Sequence, residues 1–229
     1  MYIHFQITFT GKIKSTFMEW LLGEEVDRWR IVYAHNFAGF DVYPVLGYFF
    51  SCAMSPQFLF RGQKCLQIVY KPCKLIFRCS LNFFPFPDFT KAFGLNCSKG
   101  YLPFSLNTDK SQNYVGEFPD LVLFEPNSCT PAKAAKLKEW WMQKREKYIE
   151  KGKQYNFLDK MKKYCQNDVK LLRQGCELYH VSTVKLMGLD PLVSAVTGAQ
   201  AINQVYRMNF VPKNAIAIVS NHGFNCMLF

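Results

Sequence analysis

The stretch 31–41, I-V-Y-A-H-N-F-A-G-F-D, constrains this chain more than any other. Ile31-Val32-Tyr33-Ala34 is a short apolar run that reads as a buried strand. It stops at a polar pair, His35-Asn36, and a glycine turn then delivers Phe40 and Asp41. A rigid strand ending in such a turn holds side chains still while exposing them, which is how α/β folds place reactive groups.

A second feature lies far downstream, at Tyr164-Cys165-Gln166-Asn167-Asp168. In a helix, Tyr164 and Asp168 are four residues apart and share one face. The expectation is that Asp41 and Asp168 meet at one metal-binding site that handles a nucleic-acid strand.

The 229 residues suit one large domain, or one domain with an appendage, and 49% hydrophobic content supplies a sizeable core. With 22 Phe, aromatic rings are dense enough that some are candidates to stack on bases, although most belong in the core. The net charge of +11 is concentrated. Residues 133–163 hold 11 Lys and Arg against 4 Asp and Glu, leaving +4 for the rest of the chain. Such a segment is the footprint of a polyanion binder, or else a solvated helix face. The nine cysteines form no C-x-x-C pair, so reduced, intracellular thiols are expected rather than a disulfide framework or a structural zinc. No apolar run reaches the roughly 18–20 residues of a membrane span, and the alternating start, 2–10, reads as a half-buried strand rather than a signal peptide.

Between these landmarks the pattern predicts a short helix at 16–22, with Phe17, Trp20 and Leu21 on one face. A helix follows at 43–50, with Val45, Leu46, Phe49 and Phe50 inward. Strands at 67–70 and 75–77 flank a Lys71-Pro72 turn. A short helix around 89–93 is closed by Gly94, and 96–130 reads as an irregular excursion. Thr130-Pro131 marks a helix start, and that helix runs to about Glu150. Asn156 opens the next, whose stripe is Leu158, Met161, Cys165, Val169, Leu172, Cys176 and Tyr179, with Tyr164 and Asp168 at its edge. Gly188-Leu189-Asp190-Pro191 breaks the pattern before a helix at 195–208 and a short strand at 215–219.

A-H-N-x-x-x-F-D followed by a distant Y-x-x-x-D resembles two exonuclease motifs of family-B DNA polymerases. The match is closest to the protein-primed branch of bacteriophages, adenoviruses and Maverick/Polinton mobile elements. Lys99-Gly100-Tyr101-Leu102-Pro103, Gln112-Asn113-Tyr114-Val115-Gly116, 164–172 and Asp190-Pro191 support it in the family's order, so the resemblance covers roughly 17–224. It implies an α/β chain with a ribonuclease-H-like (DEDD exonuclease) fold, here incomplete and with extra C-terminal helices. Residues 1–180 would form the exonuclease-like domain, and 181–229 a helical connection towards a missing polymerase palm. It implies Mg²⁺ or Mn²⁺ held by Asp41 and Asp168, because hard cations take carboxylate oxygens. Tyr164 matches the tyrosine that orients the attacking water. His35, Asn36 and Phe40 match positions that hold terminal nucleotides, Ser80 and Leu81 a further single-strand contact, and Lys99 a cation near the phosphates. The implied partners are a single-stranded DNA 3′ end, template-primer in the parent enzyme, and a terminal priming protein. Each residue also has a plainer reading: Asn36 bracing its own turn, Phe40 in the core, Asp168 as a solvated helix residue, Tyr164 as packing.

The departures from that pattern are physical. None of the eight aspartates is followed two residues later by glutamate, so the first motif, D-x-E, is missing. The residue before Ser80, where the family often has an acid, is Cys79. No D-x-D pair is present for nucleotidyl transfer. Two metals carry +4 and two carboxylates only −2, so a chain with this site is expected to bind its metals weakly. The leading expectation is a fragment of a protein-primed DNA polymerase covering its 3′–5′ proofreading region and inactive alone. The alternatives are a non-catalytic single-stranded nucleic-acid-binding protein and a free-standing DEDD nuclease.

Overall fold

The computed structural model describes residues 13–23, 27–84, 94, 100–213 and 215. The chain divides into two compact units, one from residues up to 21 with 86–178, the other from 22–85 with 179 onwards.

The second of these, the sheet unit, is built on strands β1 (Arg30–Ala34), β2 (Gln57–Arg61), β3 (Lys64–Tyr70) and β4 (Leu75–Cys79), in the order β1-β4-β3-β2. β1 and β4 are parallel, with Ala34 opposite Cys79, while the β3 pairings with β4 and β2 are antiparallel. β4 is inside the sheet and almost wholly buried. Its side chains alternate between faces. Leu75 and Phe77 look one way, where Phe77 stacks on Phe37 at 6.0 Å and meets Phe49 edge-on at 6.3 Å. Phe49 comes from helix α2 (Val42–Ser51), which buries Val42, Val45 and Phe49 at helical spacing. Arg78 looks the other way.

The expected strands at 31–34, 67–70 and 75–77 are present, and the Lys71-Pro72 turn is a 3-10 turn over Lys71–Cys73. The sequence reading passed over β2. Its apolar residues Phe58, Leu59 and Phe60 are consecutive, so the alternation of a half-buried strand never develops. Phe50 also departs from expectation. It is 65% exposed, because α2 spends its inward positions on Val42, Val45 and Phe49 and turns Phe50 towards Phe58.

The helical unit contains most of helix α1 (Ile13–Gly23), which buries Met18 and Leu21, with Phe17 and Trp20 in ring contact. Its core is Leu102, Leu106, Tyr155 and Phe157, with Tyr114, Phe118, Leu123, Tyr148, Met161 and Tyr164 against them. The excursion before residue 130 is irregular as expected, a series of 3-10 turns. It is pinned by strand β5 (Val115–Gly116) against β6 (Tyr155–Asn156) and by Trp141 Nε1 donating to Pro119 O at 2.9 Å. Helix α3 (Pro131–Glu150) starts at Thr130 with proline in its first turn.

Helix α4 (Phe157–Met187) begins in the helical unit and ends in the sheet unit. Asn156 opens it, Oδ1 accepting from Asp159 N at 3.1 Å, and Gly188, at φ 71°, ends it in the left-handed region that glycine tolerates. Helices α5 (Pro191–Ser194) and α6 (Gly198–Asn209) follow where one helix at 195–208 was expected. They are separate because Asp190 and Thr197 each cap a new start, accepting from Leu192 N and Gln200 N. The expected strand at 2–10 and the helix at 89–93 lie outside the described residues, as does the strand at 215–219 except for Ala215.

Candidate functional site

In the sheet unit, the segments leaving the carboxyl ends of β1 and β4 start level, because Ala34 and Cys79 are register partners. Ligands of α/β sheets collect outside such ends. Leaving β1, His35 is exposed and Asn36 adopts a left-handed conformation, φ 59° and ψ 35°, which asparagine accepts more readily than most residues. The chain then makes a 3-10 turn over Phe37–Gly39 that buries the Phe37 ring and leaves Phe40 71% exposed. Gly39 allows a close approach of the Asn36 side chain. A Cβ there would stand 2.9 Å from Asn36 Nδ2, so the Asn36 amide lies over the glycine.

Asp41 precedes α2 but makes no side-chain capping bond, so its exposed carboxyl is not spent on the helix end. Partial desolvation pushes its pKa above the ordinary carboxylate value, and a hydrogen bond with its own backbone pulls it part of the way back. Leaving β4, Ser80 is fully buried. Its hydroxyl donates to Ala34 O at 3.4 Å and shares a 3.1 Å hydrogen bond with His35 Nδ1. The His35 ring also stacks on Phe84 at 6.4 Å. Ser80 thus ties the two strand ends together and fixes the imidazole. Leu81 follows, half-buried in the 3-10 turn Ser80–Asn82.

Tyr164 and Asp168 belong to the helical unit, on α4. The expected stripe is displaced by about one residue. Cys165 and Val169 are exposed, Val169 by 61%, whereas Phe157 and Leu171 are buried and Met161, Tyr164 and Asp168 half-buried. The inward series is therefore 157, 161, 164, 168, 171, 175, alternating steps of four and three. Asp168 sits within that stripe rather than at its edge, where an apolar residue is the rule. Tyr164 meets Phe104 edge-on at 5.7 Å, packing the helix against the segment that carries Leu102 and Pro103, both buried. Asp168 acts on its neighbour as well: after burial, its charge is the next cause that raises the Cys165 thiol pKa. Lys99 lies outside the described residues.

Sequence reasoning missed the support beneath the strand ends. Arg78 is 7% exposed and donates from Nε to Gln67 Oε1 at 2.7 Å and from Nη1 to Leu192 O and Val193 O at 2.8 and 3.1 Å. Tyr33 Oη donates to the same Leu192 O. The one signal in the sequence was a lone arginine inside the apolar run L-I-F-R-C.

Among the described residues, no three or more His, Cys, Asp or Glu side chains gather into a group that could hold a metal ion. With no D-x-E in the sequence, this donor set does not fit a two-metal centre.

The family model for DNA polymerase type B, organellar and viral, matches residues 26–223. The chain belongs to that family. No curated protein and no solved structure matches it. Membership makes DNA the family's partner and nucleotidyl transfer with divalent metal ions its general chemistry. No described helix is long and apolar enough to cross a membrane.

Proposed function

We propose that this chain is the 3′–5′ proofreading exonuclease region of a protein-primed type B polymerase, on an incomplete ribonuclease-H-like fold, and that it grips single-stranded DNA ends without hydrolysing them by itself. The observation that carries the reading is the turn after β1, which presents an open Phe40 ring beside an uncapped Asp41 at the carboxyl ends of two parallel strands. Phe40 stacks on a terminal base, His35 and Asn36 hydrogen-bond the terminal nucleotides, and Ser80 positions His35. Leu81 and Lys99 add contacts to the strand. Asp41 and Asp168 are the remaining metal-ligand carboxylates and Tyr164 the water-orienting residue of the family site. A terminal priming protein is the further partner in a mobile-element or viral setting.

The lack of a D-x-E in the sequence favours a second reading, a purely non-catalytic single-strand binder. Fluorescence anisotropy on a linear oligonucleotide, followed by gel analysis with Mg²⁺ or Mn²⁺, separates the outcomes. The expected result is binding that Phe40→Ala weakens by about 5- to 160-fold, matching roughly 1–3 kcal/mol for one stacked base, and no cleavage. Metal-dependent digestion lost in both Asp41→Ala and Asp168→Ala would restore a nuclease. Digestion surviving those changes would overturn the site.

A further inference from the structure

The helical unit carries a second charged feature that the 3′-end site does not use. A surface concavity of about 370 Å³ opens where α3 runs into α4. Lys144 and Lys147 lie on the last turns of α3 and Lys151 caps its end, at steps of three and four. Lys153 follows in the turn, and Lys160 and Lys163 rise on the first turns of α4. Asp159 is the one acid in its lining. Among the described residues, ion pairs join Arg173 to Glu177 and His180 to Asp190, so none neutralises these lysines. Lys160 Nζ lies 5.5 Å from the centre of the Tyr148 ring, which anchors that ammonium at the cleft wall.

Like charges at helical spacing repel and destabilise a helix. Six lysines against the single carboxylate of Asp159 leave the concavity with a strong positive excess that a polyanion would balance. Pockets for small molecules are mostly apolar with a few polar groups. This one has a single aromatic, and most of its lining is open to solvent. A chain of phosphates passing through it fits better than an enclosed ligand.

We infer that this cleft is a binding site for the phosphodiester backbone of a single nucleic-acid strand, without regard to base or strand end. The choice of a nucleic acid rests on the proposed DNA-handling function; the cleft itself rests on the lysine placement. The test uses a closed circular single-stranded DNA, which has no 3′ end, and follows affinity against salt concentration. Each phosphate neutralised contributes about −0.7 to the slope of log K on log salt. The triple change Lys147→Glu, Lys151→Glu, Lys163→Glu is expected to flatten that slope by about 2 and to weaken binding at low salt at least tenfold. The milder Lys→Gln triple is expected to follow in the same direction. An unchanged slope in both variants, or no binding of the circle by the unaltered protein at low salt, overturns the assignment. Polyglutamate held as tightly as the circle overturns it in favour of an acidic polypeptide partner. The preference for a linear strand over the circle, compared between the unaltered protein and Phe40→Ala, reports on the 3′-end reading separately, so either idea can fail alone.

Discussion

Tyr33 and Arg78, register partners on adjacent parallel strands, donate to the same oxygen, the Leu192 carbonyl, at 2.6 and 2.8 Å. Gln67, paired with Arg78 on the next strand, accepts from its Nε, so a polar row crosses three strands on the sheet face opposite Phe77. The row lies two residues before His35 on β1 and two before Ser80 on β4. It fixes the spacing of the two strand ends from which the candidate site is built. The Arg78 guanidinium is buried, and its described bonds go to neutral oxygens, which give charge-assisted hydrogen bonds.

Removing Arg78 therefore leaves two part-buried acceptors, Gln67 Oε1 and Val193 O, without this donor, while Leu192 O keeps Tyr33. Arg78→Met is expected to cost about 2–4 kcal/mol, with Arg78→Lys recovering little of it, because an ammonium cannot reproduce the planar fork. Tyr33→Phe should cost about 1 kcal/mol, since Leu192 O keeps the arginine. Urea unfolding of both single variants and the double should reveal non-additivity, as expected of two donors on one acceptor. Strict additivity would mean that the shared carbonyl is not the point of coupling.

Asp41 gives a prediction of opposite sign. Its folded pKa is raised above the ordinary 3.8 by desolvation, so folding favours the protonated form. The stabilising contribution is full below pH 3.8 and is lost as pH rises through the folded value, leaving the ionised carboxylate a net cost at neutral pH. Asp41→Asn is expected to raise the thermal midpoint slightly at pH 7, with the difference disappearing by pH 3. Thermal melts across that pH range decide the matter, and a lowered midpoint at pH 7 would contradict it.

Much of the sheet unit was legible because local chemistry and tertiary packing agree there. The run 31–34, the turn chemistry of Lys71-Pro72 and the break at Gly188 each declare their structure without outside help. The stripe of α4 was misread for a physical reason. Cys165 and Val169 fit the expected spacing by hydrophobicity alone, but the helix turns Tyr164 and Asp168 inward, and no periodicity rule assigns an aspartate to an inward position. β2 was invisible because its apolar residues Phe58, Leu59 and Phe60 are consecutive and show no alternation. The role of Ser80 depended on a strand pairing 45 residues apart in sequence, which local pattern does not encode. Asp41 and the turn before it, by contrast, stand where the eleven-residue motif put them.

Asn36 separates a bracing role from a binding one. Its left-handed backbone disfavours most side chains and suits glycine. Asn36→Gly is therefore expected to hold the turn, with the thermal midpoint changed by no more than about 0.5 kcal/mol equivalent, while single-strand affinity falls severalfold through loss of the amide. Asn36→Val should do the reverse damage, costing about 1–2 kcal/mol of stability by forcing a β-branched residue to positive φ. Anisotropy and melting of the two variants read the two effects independently. Unimpaired DNA binding by Asn36→Gly would reduce Asn36 to a structural brace.

The thiols of α4 report the inward turn of the helix without any assay of activity. Burial, then the neighbouring Glu177 charge, pushes Cys176 up to about 12, so it stays a thiol across the working range of alkylating reagents. Cys165 is exposed, yet desolvation and then the Asp168 carboxylate raise it too. At pH 8, iodoacetamide should label exposed Cys52 readily, Cys165 slowly and Cys176 only on unfolding. Because both thiols of α4 are raised in the folded state, the stability they contribute is full below the ordinary thiol value near 9 and declines as pH climbs through their folded values, up to about 12 for Cys176. Asp168→Asn removes one of the two causes acting on Cys165 and is expected to accelerate its labelling at pH 8 while leaving Cys176 protected, as mass spectrometry of the digested protein would show. Equal labelling of Cys165 in both proteins would mean that the Asp168 charge does not reach its thiol.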